Sequence, residues 1–358
     1  MKRTIAGVVA VLGLLAAGPA AMPATAALPA TANGTTTIAP MLDQVTPAVV
    51  NIAVLSRAPQ AADNPLLRDP FFRRFFGDIP QAQAKPQVSA GSGVIVDAAR
   101  GYVITNHHVI ANAQEIAVTL KDRRRLRAKL IGSDEATDVA LLQIPAERLT
   151  ALPMGDSDRL RVGDFVVAIG NPFGLGQTVT SGIVSALGRS GLKVEGYEDF
   201  IQTDASINPG NSGGALVNFN GELIGMNTAI IGPAGGSVGI GFAVPTGIIR
   251  AVIEQLTEHG AVRRGRLGVA IQDLTPDLAD SLNVSGDQGA VIAKVEAGSP
   301  ADRAGIKTGD VVVAVDGRPI HSGTDLRNRI GLVRTGTPVQ ITLLRAGQER
   351  SITVRTAK

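Results

Sequence analysis

The alternation of apolar and polar positions divides the chain into an all-β part and a mixed part. Between residues 91 and 244, short β-branched apolar runs are separated by Gly-rich and Asp-rich turns, which is typical of β-barrels and β-sandwiches. The predicted strands of this part are 93–96, 102–104, 116–120, 139–144, 165–169 and 182–186. A 3.6-residue apolar period then predicts one helix that starts at Pro245 and has Gly260 just after its end.

Residues 262–358 follow a different pattern, in which strands alternate with short helices. The predicted strands are 267–271, 290–295, 311–315, 339–343 and 351–354, and the predicted helices are 276–282, 300–304 and 324–332. A segment of about 100 residues with this α+β pattern is long enough for a compact domain of its own. We therefore expect a mainly β first domain at 41–260 and an α+β second domain at 262–358.

The N-terminal segment has the layout of a secretory signal peptide. A basic start at residues 2–3 is followed by an apolar run at 5–17 and by the small residues Ala24, Thr25 and Ala26. The apolar run is shorter than the roughly 20 residues that a membrane-spanning helix needs. We expect cleavage after residue 26, export of the mature chain, and a flexible leader at 27–40.

Composition narrows the chemistry that the chain can perform. It contains no Cys, which excludes disulfides, thiolate metal sites and a cysteine nucleophile. Removal of Lys2 and Arg3 with the signal peptide leaves 34 − 2 = 32 basic and 31 acidic residues, and a net charge of +1 gives no general attraction to nucleic acid. The basic run at 121–129 is expected to form a hairpin turn and a solvated strand. We expect no nucleic-acid partner and at most peripheral membrane association.

A long loop is expected at residues 56–88, which are rich in Pro, Gln and Ala. Four of the nine Phe residues of the chain lie within it, in the stretch 69–76, which reads DPFFRRFF. An aromatic cluster in a segment without secondary structure suggests docking on a neighbouring surface.

The strongest candidate for chemistry is Ser212, which lies in the Gly-rich stretch 210–214. Glycines allow a sharp turn around a nucleophile, and successive backbone N–H groups can stabilise an oxyanion. The same string matches the G-x-S-x-G elbow of α/β-hydrolases, but that elbow needs a helix after the serine and a catalytic histidine later in the chain. Strand patterns follow here, and His259 and His321 lie at a helix end and in the second domain, which argues against the elbow.

A His, Asp, Ser order, as in chymotrypsin-like proteases, fits the histidines upstream of the serine. His107 and His108 are adjacent, and residue chemistry alone does not separate them. A zinc site is disfavoured because the chain has no H-E-x-x-H motif, and because neighbouring residues of an extended strand face opposite ways. The Gly-rich stretches 170–176 and 235–241 lack the context of a nucleotide-binding loop.

Several carboxylates could orient the histidine. Asp138 stands at the start of an apolar strand, but Asp164 and Asp204 also adjoin strands, so position alone does not select one. Asp134 and Glu135 lie in a polar turn and are expected to be solvated.

Five motifs, in order along the chain, resemble the HtrA (Deg) family of serine proteases, with the DegP and DegQ type as the nearest pattern. They are 106–109 (NHHV), 138–141 (DVAL), 170–174 (GNPFG), 177–182 (QTVTSG) and 210–216 (GNSGGAL). The family patterns T-N-x-H-V and T-D-x-A-L imply that His108 is the base and that Asp138 orients it. Ser212 is then the nucleophile.

The resemblance implies a trypsin-like double β-barrel followed by a single PDZ domain. Backbone N–H groups of Gly210 and Ser212 would form the oxyanion hole, with Asn211 shaping the turn. The implied walls of the specificity pocket, suited to Val, Ile or Ala before the cut, are Ile207, Ile230 and Ile240. Arg189 falls in the loop that relays activation in the family, and the Phe-rich loop corresponds to a long loop of the first barrel.

The resemblance also implies a peptide-binding groove in the PDZ domain. The loop at 266–269 (RLGV) would capture the carboxylate of an apolar C-terminal peptide through the backbone N–H groups of its last three residues. The implied loop residues are Arg266, Leu267, Gly268 and Val269. The opposite wall would come from Arg329 and Ile330, with Asp325 and Leu326, on the last predicted helix.

The expected function is that of an ATP-independent periplasmic serine endoprotease of the stress response, which degrades unfolded or misfolded envelope proteins. The expected assembly is a homotrimer or a multiple of it, and no cofactor or metal is expected. Two alternatives remain open at this point. One is a chaperone or binding module with minor proteolysis, and the other is a membrane-tethered stress sensor that cuts one regulatory partner.

Overall fold

Two β-barrels and a third, open sheet follow one another along the chain. The computed structural model describes residues 37–56, 87–172, 176–190, 197–208, 210–230, 238–286 and 288–358. The expected signal peptide and the Phe-rich stretch 69–76 lie outside these ranges. Within them, no helix is long and apolar enough to cross a membrane.

The first barrel closes six described strands in the order β1-β2-β3-β6-β5-β4. They are β1 (Val49–Ser56), β2 (Gln87–Asp97), β3 (Tyr102–Thr105), β4 (Ala113–Thr119), β5 (Arg125–Asp134) and β6 (Val139–Gln143). Aliphatic side chains such as Ile52, Ile95 and Leu142 fill its interior. The basic run at 121–129 forms the β4–β5 turn and the exposed face of β5, as predicted.

The second barrel closes six described strands in the order β10-β11-β12-β9-β8-β7. They are β7 (Phe165–Gly170), β8 (Thr178–Arg189), β9 (Phe200–Thr203), β10 (Ala215–Asn218), β11 (Leu223–Ile230) and β12 (Gly241–Pro245). Its core is also aliphatic, with Ile201, Leu216 and Ile224 almost completely buried. The low aromatic content therefore does not prevent two well-filled barrels.

In the described ranges, the α-helices that accompany the barrels are α1 (Ala39–Val45), α2 (His107–Ile110) and α3 (Thr246–His259). The structure confirms α3, and Gly260 ends it in a left-handed conformation with φ +70°, its N–H bonded to the carbonyl of Leu256. Helix α1 begins within the segment predicted to be a flexible leader. The adjacent histidines lie on α2 rather than in an extended strand, so the predicted opposite orientation of their side chains does not apply.

The second domain is a sheet in the order β13-β14-β15-β17-β18, with a short strand β16 beside β15. The strands are β13 (Val269–Asp273), β14 (Ala290–Val295), β15 (Val311–Val315), β16 (Arg318–Pro319), β17 (Pro338–Arg345) and β18 (Gln348–Arg355), and the helices are α4 (Pro276–Leu282), α5 (Pro300–Ala304) and α6 (Gly323–Leu332). Strand β13 begins two residues later than predicted, because Gly268 turns the chain with φ +74°.

Asp134 connects the first barrel to the linker before the second domain, and the prediction that it is solvated was wrong. Its carboxylate is buried and accepts two hydrogen bonds from Arg264, at 2.9 and 2.7 Å, and a third from the Thr137 hydroxyl at 2.6 Å. The Arg264 guanidinium also lies 4.4 Å from the ring centroid of Tyr197. A buried carboxylate needs such partners because burial of an unpaired charge is costly.

The candidate active site

His108 and Asp138 are brought together on the first barrel. The Nδ1 atom of His108 lies 2.8 Å from Oδ2 of Asp138, and the backbone N–H of His108 donates to Oδ1 at 3.0 Å. The histidine comes from α2, after strand β3, and the aspartate directly precedes β6, which pairs with β3. Strand pairing therefore positions both residues at the same end of the barrel.

Thr228, on strand β11 of the second barrel, completes the surroundings of Asp138. Its hydroxyl donates to Oδ2 of Asp138 at 2.6 Å, and its own carbonyl accepts a hydrogen bond from Oγ of Ser212 at 3.1 Å. One threonine thus contacts both the carboxylate and the candidate nucleophile. No motif in the sequence marked it, because a threonine in a strand is ordinary.

Ser212 lies in the turn between β9 and β10, at the boundary of the two barrels. Within the described residues, no hydrogen bond joins Ser212 to His108, since the hydroxyl is directed to Thr228. Neighbouring N–H groups in this turn have partners: that of Asn211 donates to Asn208 and that of Gly213 donates to Asn227. In the same described part of the chain, the N–H groups of Gly210 and Ser212 donate no hydrogen bond, which leaves them available to a ligand.

Ser92 on strand β2 fastens this turn to the first barrel. Its hydroxyl donates to the carbonyl of Gly210 at 2.6 Å and accepts from the N–H of Asn171 at 2.7 Å. Its own N–H donates to the carbonyl of Ser212 at 2.8 Å. Gly213 is required here, because its φ is +82° and a Cβ would lie 2.1 Å from the carbonyl oxygen of Ser92.

Electrostatics keep Asp138 ionised. Burial by itself would raise the pKa of Asp138, but the hydrogen bonds and charge of His108, together with the Thr228 hydroxyl, hold that pKa below its usual value. A carboxylate that is charged at neutral pH can fix Nδ1 of His108 as the protonated nitrogen. Nε2 is then left to accept a proton.

His107 has different neighbours. Its Nδ1 lies 3.1 Å from the hydroxyl of Ser133 on β5, and its backbone N–H donates to the carbonyl of Asp138 at 3.1 Å. The two histidines therefore point to different partners, and within the described residues no group of His, Asp and Glu is arranged to hold a metal ion.

The three isoleucines implied for the specificity pocket all lie beside Gly241 in the second barrel. Ile207 is completely buried, with its side chain against the backbone of Gly241. Strand pairing places Ile230 opposite Gly241. Ile240, which directly precedes Gly241, is 37% exposed. The side chain of Ile230 lies outside the described part of the structure.

Arg189 contacts a neighbouring strand of the second barrel. It ends strand β8, and its Nε donates to the side chain of Gln202 on β9 at 2.8 Å. The loop residues 191–196 that follow it are outside the described ranges.

The residues implied for the peptide groove divide into buried and accessible groups. Leu267 and Ile330 are buried in the core of the second domain, so their side chains stabilise the domain. Val269 begins strand β13, and Arg329 pairs with Asp325 at 3.7 Å on α6. In the described structure, the N–H groups of Leu267 and Gly268 donate no hydrogen bond, as a carboxylate-binding loop requires. Arg266 lines a separate cavity at the linker.

Two family models match the chain. A trypsin-like peptidase domain covers residues 91–226, and a PDZ domain covers residues 265–356. The first match contains His108, Asp138 and Ser212 but ends two residues before Thr228, and the second coincides with the third sheet.

Named relatives match across most of the chain. The periplasmic pH-dependent serine endoprotease DegQ of Escherichia coli K12 is 52% identical over 319 residues, which are 88% of this chain and 69% of that protein. The periplasmic serine endoprotease DegP of the same strain is 46% identical over 378 residues, covering 98% of this chain and 79% of that protein.

Solved structures agree with these relatives. The HtrA-type protease AlgW bound to a tripeptide is 43% identical, with a TM-score of 0.68 over 90% of this chain and 97% of that chain. AlgW bound to a decapeptide is 46% identical, with a TM-score of 0.65 over 90% of this chain and 98% of the other.

Proposed function

Because this chain belongs to the HtrA family of serine proteases and is a serine endopeptidase with one trypsin-like and one PDZ domain, we propose that His108, Asp138 and Ser212 are its catalytic triad. The observation that carries this proposal is the double hydrogen bond from His108 to Asp138 beside Ser212. We place the peptidase domain at 41–260 and the PDZ domain at 262–358.

The reaction begins when the Ser212 hydroxyl leaves the Thr228 carbonyl and turns to Nε2 of His108. His108 takes the hydroxyl proton as Oγ attacks the peptide carbonyl, and ionised Asp138 stabilises the imidazolium that forms. The N–H groups of Gly210 and Ser212 donate to the oxyanion, with Asn211 shaping the turn. His108 then protonates the leaving amine, and water hydrolyses the acyl-enzyme with His108 again as base.

The orientation of the Ser212 hydroxyl must change before the reaction can begin. The Ser212 hydroxyl donates to the Thr228 carbonyl in the structure, so it must turn away from that carbonyl before attack. Catalytic hydrogen bonds commonly tighten when substrate binds, and a partly engaged serine is compatible with the triad.

Substrate preference would come from the second barrel. The buried Ile207 and the partly exposed Ile240 would form two walls of the specificity pocket, and Ile230 would form the third. A shallow apolar pocket favours Val, Ile or Ala before the cut. Mapping cut sites in a denatured protein by mass spectrometry tests this preference, and cleavage mainly after charged or aromatic residues would contradict it.

The PDZ domain would bind apolar C-terminal peptides. The free N–H groups of Leu267 and Gly268 would hold the terminal carboxylate, Val269 would pair with the peptide backbone, and the α6 residues Arg329 and Ile330 would support the other side of the groove. We further propose that Arg189 relays this binding to the peptidase domain.

The relatives named above are periplasmic, and we propose the same compartment for this protein after removal of residues 1–26. Its proposed substrates are unfolded or misfolded envelope proteins, and its proposed assembly is a homotrimer. Cleavage of reduced, denatured protein with sparing of the same protein in its native fold would support this substrate class.

The decisive test of the triad is the Ser212→Ala variant. It should lose casein cleavage, because the hydroxyl that attacks the peptide carbonyl is gone, while its circular dichroism spectrum stays that of the unmodified chain. Ser281→Ala is the matched control, since its hydroxyl is exposed on α4 and bonds to a backbone carbonyl there. Casein cleavage that survives in Ser212→Ala would disprove the triad.

A further inference from the structure

A strongly basic cavity of about 790 Å³ lies where helix α3, the linker and the PDZ domain meet. Its described lining consists of Gln255, His259, Val262, Arg263, Arg264, Arg266, Arg334, Thr335 and Lys358. Five of these nine residues are Arg or Lys, and none of them is Asp or Glu. None of them belongs to the proposed triad, and the proposed peptide groove shares only Arg266 with this lining.

Carboxylates neutralise two of the five cations. Arg264 pairs with Asp134, and Arg334 pairs with Glu254 at 2.9 Å and with Glu258 at 2.8 Å. The other three, Arg263, Arg266 and Lys358, form no ion pair with any described residue. Like charges held around one cavity repel each other, and a bound anion relieves that repulsion.

The backbone around the cavity is held in place by specific contacts. Gln255 is 1% exposed, and its side chain accepts from the N–H of Arg263 at 2.8 Å and donates to the carbonyl of Leu332 at 3.1 Å. Arg266 and Ala357 exchange two backbone hydrogen bonds, at 2.8 and 2.9 Å. The cations therefore extend from a fixed frame that joins α3 to the PDZ domain.

We propose that this cavity binds a compact anion that carries several phosphate charges. Arginine forks bind phosphate oxygens in pairs, and four of the five cations are arginines. The volume lies in the range of about 300–1,000 Å³ that is usual for small-ligand sites. Arg263, Arg266 and Lys358 are all solvent-exposed at this cavity, so an anion can approach them from solution.

The test uses tripolyphosphate, titrated by calorimetry into the full chain carrying Ser212→Ala. We expect one site per chain, and at least about tenfold weaker binding in Arg263→Ala/Lys358→Ala, because each substitution removes a charge-assisted contact. Arg125→Ala/Arg350→Ala is the matched control: it removes the same charge from two exposed strand positions and should bind as the parent does. Circular dichroism checks that each variant is folded.

A second arm identifies the source of the phosphate. Vesicles of phosphatidylglycerol are sedimented with each variant, and vesicles of phosphatidylcholine are the blank. Sedimentation that needs Arg263 and Lys358 assigns the site to a lipid headgroup, and sedimentation indifferent to them assigns it to a soluble anion. Absence of tripolyphosphate binding, or equal weakening by both double variants, would overturn the proposal. Neither measurement depends on catalysis, so the result for this cavity is independent of whether the proposed triad is correct.

Discussion

At the scale of single residues, Asp138 is constrained both by the hydrogen bonds of its carboxylate and by the conformation of its backbone. Its carboxylate accepts three hydrogen bonds, two from His108 and one from Thr228. Its backbone is left-handed, with φ +55° and ψ +38°, after the short helical turn 135–137. Asp and Asn are among the residues that adopt this conformation most readily. A carboxylate on a longer side chain would fit neither the backbone nor the distance to Nδ1.

The two adjacent histidines should differ sharply in importance. His108→Ala removes the proposed base and should lower kcat/KM by at least about 10³-fold. His107→Ala loses a hydrogen bond to Ser133 and should cost about 1 kcal/mol of stability, with most activity kept. Hydrolysis of a fluorogenic peptide and thermal unfolding of both variants check this. Loss of activity in His107→Ala alone would show that the assignment is off by one residue.

The sequence singled out candidate residues for the site but not the residues that support them. His108, Asp138 and Ser212 stand in motifs, and the motif register chose His108 where residue chemistry could not. Thr228 was missed because its role depends on strand β11 lying beside the first barrel. Asp134 was misjudged because its partner Arg264 is 130 residues away in the chain.

At the scale of elements, strand β2 does more than close the first barrel. Through Ser92 it holds the carbonyls of Gly210 and Ser212 and the N–H of Asn171, all three in the second barrel. Ser92 is completely buried, so these groups have no water to replace it. The geometry of the proposed oxyanion hole therefore depends on a strand of the other barrel.

Ser92→Ala should impair catalysis without touching the triad. It leaves the Gly210 carbonyl and the Asn171 N–H unpaired, which should cost about 1–3 kcal/mol of stability. The loosened turn should lower kcat roughly 10-fold to 100-fold, with KM little changed. Ser133→Ala, whose hydroxyl contacts His107, is a suitable control. An unchanged kcat in a folded Ser92→Ala protein would contradict this role.

Elements in which apolar residues recur at a regular spacing were predicted well. Helix α3 and the β4–β5 hairpin were found because their apolar spacing extends over several turns or pairs. Helix α2 was not, because four residues are too short for a period to show. The start of β13 was misplaced because Leu267 continues the apolar pattern of the strand but packs in the domain core.

At the scale of the whole molecule, Asp199 marks where the second barrel meets the PDZ domain. Burial and then the negative charge of Asp325 on α6 raise the pKa of Asp199 to about 6, with a further increase from Asp158 and opposition from Arg329. The native state therefore binds this proton more tightly than the unfolded state, whose value is near 3.8. Stability from this group is present below pH 4 and is lost as pH rises through 6.

Asp199→Asn should consequently stabilise the protein at neutral and higher pH. Because the side chain is half-buried, we expect a gain on the order of 1 kcal/mol at pH 8, which is about 2–4 °C in Tm. The gain should vanish near pH 4, where Asp199 is already protonated in the folded protein. Thermal unfolding from pH 4 to 8 measures this. Asp280→Asn, at an exposed position, serves as control, and an equal gain at every pH would count against the explanation.

The contact of Ser92 with the serine turn has a consequence for the integrity of the proposed catalytic centre. His108 and Asp138 lie before the connection 144–164, and Ser212 lies after it, so neither fragment of a chain divided there carries a complete centre. Glu147 and Arg148 are exposed within this connection, which makes the bond between them a convenient place to divide the chain. The two fragments would be inert apart and active when reassembled, with Ser92 as the contact through which one fragment completes the other.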